Sequence, residues 1–212
     1  QRGTVEAFGK PAFAGPGSGR LELAKSLADP ANPLVARVIV NRMWKHHFGE
    51  GIVRSPDDFG KQGQPPTHPE LLDWLASELV TPTASPGAPW SLKRMHRLMV
   101  LSTAYRQSSR ATPEQAARAV TADPQNKLLH HQNVRRLEAE AIRDTLLSVS
   151  GRLDPAVGGP GVLPHLSEHQ VGRGRPASGP LDGNGRRSVY LAVRRNFLNP
   201  MFQAFDSPTP FT

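Results

Sequence analysis

The sequence predicts a mainly α-helical fold: a multi-helix domain with a long Gly/Pro-rich loop and a terminal β-strand, part of a larger protein. Three observations predict it. Apolar residues recur at helical spacing in stretches that open on Asn, Ser or Thr and close on Gly or Pro. The 19 Gly and 21 Pro cluster between those stretches instead of interrupting them. Only residues 188–195 alternate apolar and polar with the period of a strand. A hydrophobic share of 37% and an aromatic share of 6% are lean for 212 residues, enough for one core with an irregular appendage.

In chain order, residues 1–19 read as a linker or frayed end, rich in Gly, Pro and Ala. A short helix over 20–28 stops at Asp29-Pro30, because a residue before proline avoids the helical region. Asn32 is a good N-cap and Pro33 a good first helical residue, so the next helix runs to Phe48 and closes at Gly49. Val35, Val38, Ile39 and Val40 would also suit a buried strand, but the start and stop signals favour the helix. A loop over 49–66 holds Asp57, Asp58 and Pro65-Pro66. Thr67 and Glu70 have capping-box spacing and open a helix whose apolar face is Leu71, Leu72, Trp74, Leu75 and Leu79, ended by Pro82. Residues 81–89 are a spacer, and Ser91 caps a helix reaching about Tyr105. Thr112 opens a weaker one that fades by Thr121. A strong helix covers 136–150 with Ile142, Leu146 and Val149 inward and Gly151 as its stop. The helical domain is therefore bounded at 20–151, the Gly/Pro-rich loop at 152–187, and the strand and tail at 188–212. A lone strand needs a partner. Segments near Val5 and Ile52-Val53 are weak candidates, so the partner is expected outside this chain.

Several blocks stand in a characteristic order: Asn32-Pro33-Leu34, Asn41-Arg42-Met43-Trp44-Lys45-His46-His47-Phe48-Gly49, Asp58-Phe59-Gly60, Pro66-Thr67-His68-Pro69-Glu70-Leu71-Leu72-Asp73-Trp74-Leu75, Tyr105-Arg106-Gln107-Ser108-Ser109 and Arg187-Ser188-Val189-Tyr190-Leu191. From Arg20 onward the chain resembles a planctomycete carboxy-terminal domain of unknown function (domain of unknown function 1553) found with cytochrome c-like domains. The resemblance implies a chain that continues on both sides, a periplasmic or cell-envelope location, and other domains of the same larger protein, haem domains among them, as partners. It carries over no established catalytic residue.

Composition narrows the chemistry. Without cysteine there is no disulfide, thiol nucleophile, thiolate metal site or Cys-x-x-Cys-His haem attachment, so no cofactor is identified. No apolar run is long enough to cross a bilayer, and no signal peptide is visible at Gln1. The net charge of +8 comes largely from 20 Arg, but these are scattered and often stand beside acids, which argues against a nucleic-acid platform.

The most suggestive constellation is His46, His47, Asp57, Asp58 and His68. Imidazoles at a helix end and carboxylates in the following loop could converge as acid and base, with His46, His47, Asp58 and His68 as catalytic candidates. His47, Asp58 and His68 could also bind a metal. Against this, histidine in a last helical turn complements the helix dipole, and adjacent residues on a helix point about 100° apart. Arg42 and Trp44, on a buried helix, are candidates for holding an anion or a sugar ring. Their structural alternative is a buried ion pair of Arg42 with Asp58 or Glu70. His165 and His169 flank Glu168 in the wrong order for a zinc protease, and Gly158-Gly159-Pro160-Gly161 is a turn without the strand and Lys-Ser/Thr of a phosphate loop. The leading expectation is a module for assembly or partner binding. The alternatives are a metal-assisted, hydrolase-like domain acting on a carbohydrate or other polymer, and anion or nucleic-acid binding.

Overall fold

The computed structural model describes residues 17–84, 86–194 and 196–205. Most of the expected linker, Val5, Arg195 and the tail beyond Phe205 lie outside the described residues. The chain is mainly helical, with α1 Arg20–Leu27, α2 Val35–Phe48, α3 Pro69–Val80, α4 Leu92–Val100, α5 Thr103–Arg106, α6 Pro113–Ala122, α7 Ala139–Val149 and α8 Pro200–Ala204. It divides into two compact units, Gln1–Val134 and Arg135–Thr212. The stretch 20–151 is therefore shared between two units, and α7 belongs with the Gly/Pro-rich segment.

In the first unit α2 is the central element. The Asn32 side chain accepts from the N–H groups of Leu34 and Val35 at 3.0 and 3.3 Å, and the α-helix starts two residues later than the sequence suggests. At the other end Gly49, with φ 93°, donates to the Lys45 carbonyl at 2.8 Å. α3 and α4 pack against α2. The core comprises Val40, Met43, Trp44 and Phe48 of α2, Leu72, Leu75 and Leu79 of α3, and Met95 and Met99 of α4, with Ile52 and Val53 inserted from the loop.

Local signals set several boundaries. Ser91 accepts from the Arg94 N–H, and Thr112 forms a reciprocal capping box with Gln115. Three expectations need correction. Thr67 does not cap α3; its hydroxyl faces the Ile52 carbonyl and the His68 ring, and the cap position falls to His68 without a side-chain bond. The helix after Ser91 breaks at Leu101, because Ser102 accepts from the Tyr105 N–H at 3.2 Å and so caps a new turn. Trp74, expected on the inward face of α3, is 44% exposed.

The second unit is built on α7 and α8. Ala139, Leu191 and Phe202 form its core, with Val162 and Phe205 packed against them. The inward face of α7 differs from expectation. Ala139, Arg143 and Leu147 are buried, whereas Leu146 is 58% and Val149 84% exposed. The expected strand is instead a 3-10 turn at Ser188–Tyr190 followed by a single parallel bridge between Leu191 and Val162. Its partner lies inside the chain: the Val162 N–H donates to the Tyr190 carbonyl and the Ala192 N–H to the Val162 carbonyl, each at 2.8 Å. Val189, Val193 and Arg194 are exposed, so a single bridge suffices without a ladder, and buried Arg143 fastens the turns that lead into it. Its guanidinium donates to the carbonyls of Arg186 and Asp182 and to the Ser188 hydroxyl at 2.6–3.0 Å. The Asp144 carboxylate accepts from the Ser188 N–H and hydroxyl at 2.7 Å.

Candidate functional site

Because α3 and α4 both lean on α2, the space beside them is left as a groove of about 550 Å³. Trp44 contributes from α2, Leu71, Trp74 and Leu75 line it from α3, and Leu98 and Leu101 line it from α4 and its C-terminus. Arg97 is the exposed cation on its margin. Trp44 itself is fixed, 7% exposed and stacked on Phe48 with ring centroids 3.9 Å apart and planes 15° from parallel. Trp74 and Leu101, in contrast, are 44% and 54% exposed. A volume of this size with an apolar lining falls within the range of binding sites.

A buried ion pair holds the groove's wall in place. Arg94 of α4 reaches Glu78 of α3 at 3.0 Å, with side chains 5% and 2% exposed. Arg94 also donates to the Glu78 carbonyl. The Glu78 carboxylate accepts from the Thr83 hydroxyl and from the N–H groups of Thr83 and Ala84 at 3.0–3.1 Å. The Thr83 hydroxyl is the largest influence lowering its pKa. Burial opposes it, the two N–H groups and Arg94 reinforce it, and the carboxyl is held at about 2. Sequence reading missed Glu78; a carboxylate one position from Leu79 on an apolar helix face was the available signal.

The sequence-predicted residues are placed as follows. Arg42 is exposed, not buried, and pairs with exposed Asp57 at 3.1 Å instead of with Asp58 or Glu70. Such a pair contributes little to stability. Asp58 turns back into its own loop, its carboxylate accepting from the Gly60 N–H at 2.8 Å. His46 is exposed at the end of α2. His68 Nδ1 lies 3.0 Å from the Thr67 hydroxyl. His47 meets a residue outside that constellation: its Nε2 is 2.8 Å from Nδ1 of His96 on α4. Among the described residues no group of three or more His, Cys, Asp or Glu is placed to hold a metal ion. His165 and His169 are on no helix, and the Gly158 N–H donates to the Tyr190 hydroxyl at 2.6 Å, which makes that glycine run a fastened turn.

The basic residues near the end of the chain are largely engaged. Arg186 lies 4.1 Å over the Tyr190 ring and 3.6 Å from Asp154, and Arg187 lies 3.7 Å from Asp144. No described helix is long and apolar enough to cross a membrane. A family model described as "PSD1: Protein of unknown function (DUF1553)" matches residues 19–212. No curated protein and no solved structure matches.

Proposed function

We propose that this chain, which belongs to the PSD1 family of proteins of unknown function (DUF1553), is a non-catalytic module that docks another domain of a larger protein. The larger protein is extracytoplasmic, of planctomycete origin and associated with cytochrome c-like domains. The ordered sequence blocks support these three points.

The groove beside α3 and α4 carries the docking role. Exposed Trp74 and Leu101 keep apolar surface in water at a cost of roughly 25 cal/mol per Å², a cost that a docked partner removes. An aromatic side chain at the edge of an apolar groove is also the residue type on which binding energy concentrates. The complementary occupant is an apolar segment, such as one helix face, with an acidic side chain toward Arg97. Metal-assisted hydrolysis and anion or nucleic-acid binding gain no support from where their candidate residues lie.

Hydroxyl-radical footprinting of the intact longer protein, beside this chain alone, tests the reading. Trp74 and Leu101 should be protected in the longer protein, and Leu101→Glu should abolish the protection of Trp74. Equal labelling of both residues in the two samples would overturn it.

A further inference from the structure

His47 stands in the last turn of α2 and His96 on α4, 49 residues apart in sequence. Their facing nitrogens are 2.8 Å apart, the ring centroids 5.0 Å apart and the planes at 77°. The His47 ring is oriented by an edge contact with Tyr105, whose ring also meets Phe48 edge-on at 5.6 Å. Both helices are anchored close by, α2 through Phe48 and α4 through Met95 and Met99, each no more than 2% exposed. His96 is exposed, so the pair is reachable from solvent.

We propose that His47 and His96 form a binding site for a divalent transition-metal ion of the zinc, copper or nickel class. Two neutral imidazoles bridged by such an ion at about 2.05 Å per bond in tetrahedral geometry have nitrogens about 3.3 Å apart. The pair opens by about half an ångström to reach that separation, within the freedom of a side-chain rotation. In the hydrogen-bonded pair one facing nitrogen carries a proton. On metal binding that ring moves to its other tautomer, so both facing lone pairs go to the ion and each ring keeps its proton on the far nitrogen. The absence of a carboxylate in the pair selects imidazole-preferring ions over magnesium and calcium. The negative end of the α2 dipole favours the cation, while Lys93 and Arg97 on α4 oppose it, which makes the site one of moderate affinity. With no third His, Cys, Asp or Glu grouped with the pair among the described residues, the remaining positions go to water or to a partner's side chain.

The test is calorimetric titration of the untagged, chelator-treated protein with zinc chloride and, separately, nickel chloride, alongside His96→Gln, His47→Gln and His131→Gln. His131 belongs to a second pair, its Nδ1 3.1 Å from that of His130, but the two are neighbours in one loop. The expected result is one equivalent per chain, bound with moderate affinity. Either His47→Gln or His96→Gln should weaken it at least about tenfold, while His131→Gln leaves it unchanged. The metal should raise the melting temperature of the unmodified protein and not that of His96→Gln, because it ties α2 to α4. His96 is exposed, so its variant retains the metal-free melting curve. No binding up to about 1 mM, or binding that survives His96→Gln, overturns the proposal. So does loss of binding in His131→Gln alone.

Discussion

Asn41 has no exposed surface on α2, and its amide pairs with Val53 on both sides. Its Nδ2 donates to the Val53 carbonyl at 2.9 Å, and its Oδ1 accepts from the Val53 N–H at 2.8 Å. The approach is close enough that a Cβ on Gly51 would lie 2.8 Å from the Asn41 amide nitrogen and 2.5 Å from the Val53 carbonyl oxygen. Asn41→Leu keeps similar bulk but orphans two buried backbone groups, at about 1–3 kcal/mol each. Urea unfolding should therefore show a loss of about 2–6 kcal/mol, and a loss below about 0.5 kcal/mol would mean that water replaces the amide. Glu78 is the other residue with a large expected effect. Its folded-state pKa of about 2 lies below the ordinary 4.5. The stabilisation is therefore fully present above 4.5 and is lost as pH falls from there toward about 2. Glu78→Gln leaves Arg94 buried without its carboxylate, which costs about 3 kcal/mol or more near pH 7. The same substitution should flatten the stability profile between about pH 5 and pH 3, measured as urea midpoints across that range.

α7 separates what a sequence can show about a helix from what it cannot. Helix ends depend on residues close in sequence: Ser91 and Thr112 cap where their spacing suggests, Gly49 closes α2, and α3 ends two residues before Pro82. Which side of a helix faces inward depends on what packs there. The stripe Ile142, Leu146 and Val149 has core-like periodicity, yet α7 buries Arg143 because the neighbouring turns offer it the carbonyls of Asp182 and Arg186 and the Ser188 hydroxyl. The alternation over 188–195 misleads for the same reason: the Tyr190 and Leu191 N–H groups bond back to Arg187 and Ser188, and the bridge to Val162 holds the segment without a sheet. In the first unit, Trp44 and Leu71 stand out in the sequence, but the groove they line does not. The meeting of His47 with His96 joins helices 49 residues apart, beyond any local spacing rule. A paired substitution tests the reassigned face of α7. Leu146→Ser should change stability by less than about 0.5 kcal/mol, whereas Arg143→Met should cost about 3 kcal/mol by leaving its acceptors unpaired. Far-UV circular dichroism during urea unfolding checks both, and the opposite ranking would restore Leu146 to the core.

At the scale of the whole molecule, two cores are built from different kinds of contact. The first unit rests on a broad apolar cluster from α2, α3, α4 and the inserted Ile52-Val53. The second has a small cluster around Ala139, Leu191 and Phe202, and leans on Arg143, Asp144 and Ser188 to fasten its loops. Hydrophobic area stabilises by roughly 25 cal/mol per Å², so the broader cluster predicts the more resistant unit. All three tryptophans, Trp44, Trp74 and Trp90, lie in the first unit. Tryptophan emission therefore follows that unit alone, while circular dichroism follows the helices of both. If the units unfold independently, the two probes give different urea midpoints, with the dichroism change beginning at the lower concentration. Arg143→Met should then move the early part of the dichroism curve to lower urea and leave the tryptophan midpoint within the error of about 0.3 kcal/mol expected for uncoupled sites. Equal shifts of both probes would mean that the units unfold as one, and that the hydrogen-bonded loops of the second stabilise the groove-bearing first unit as well.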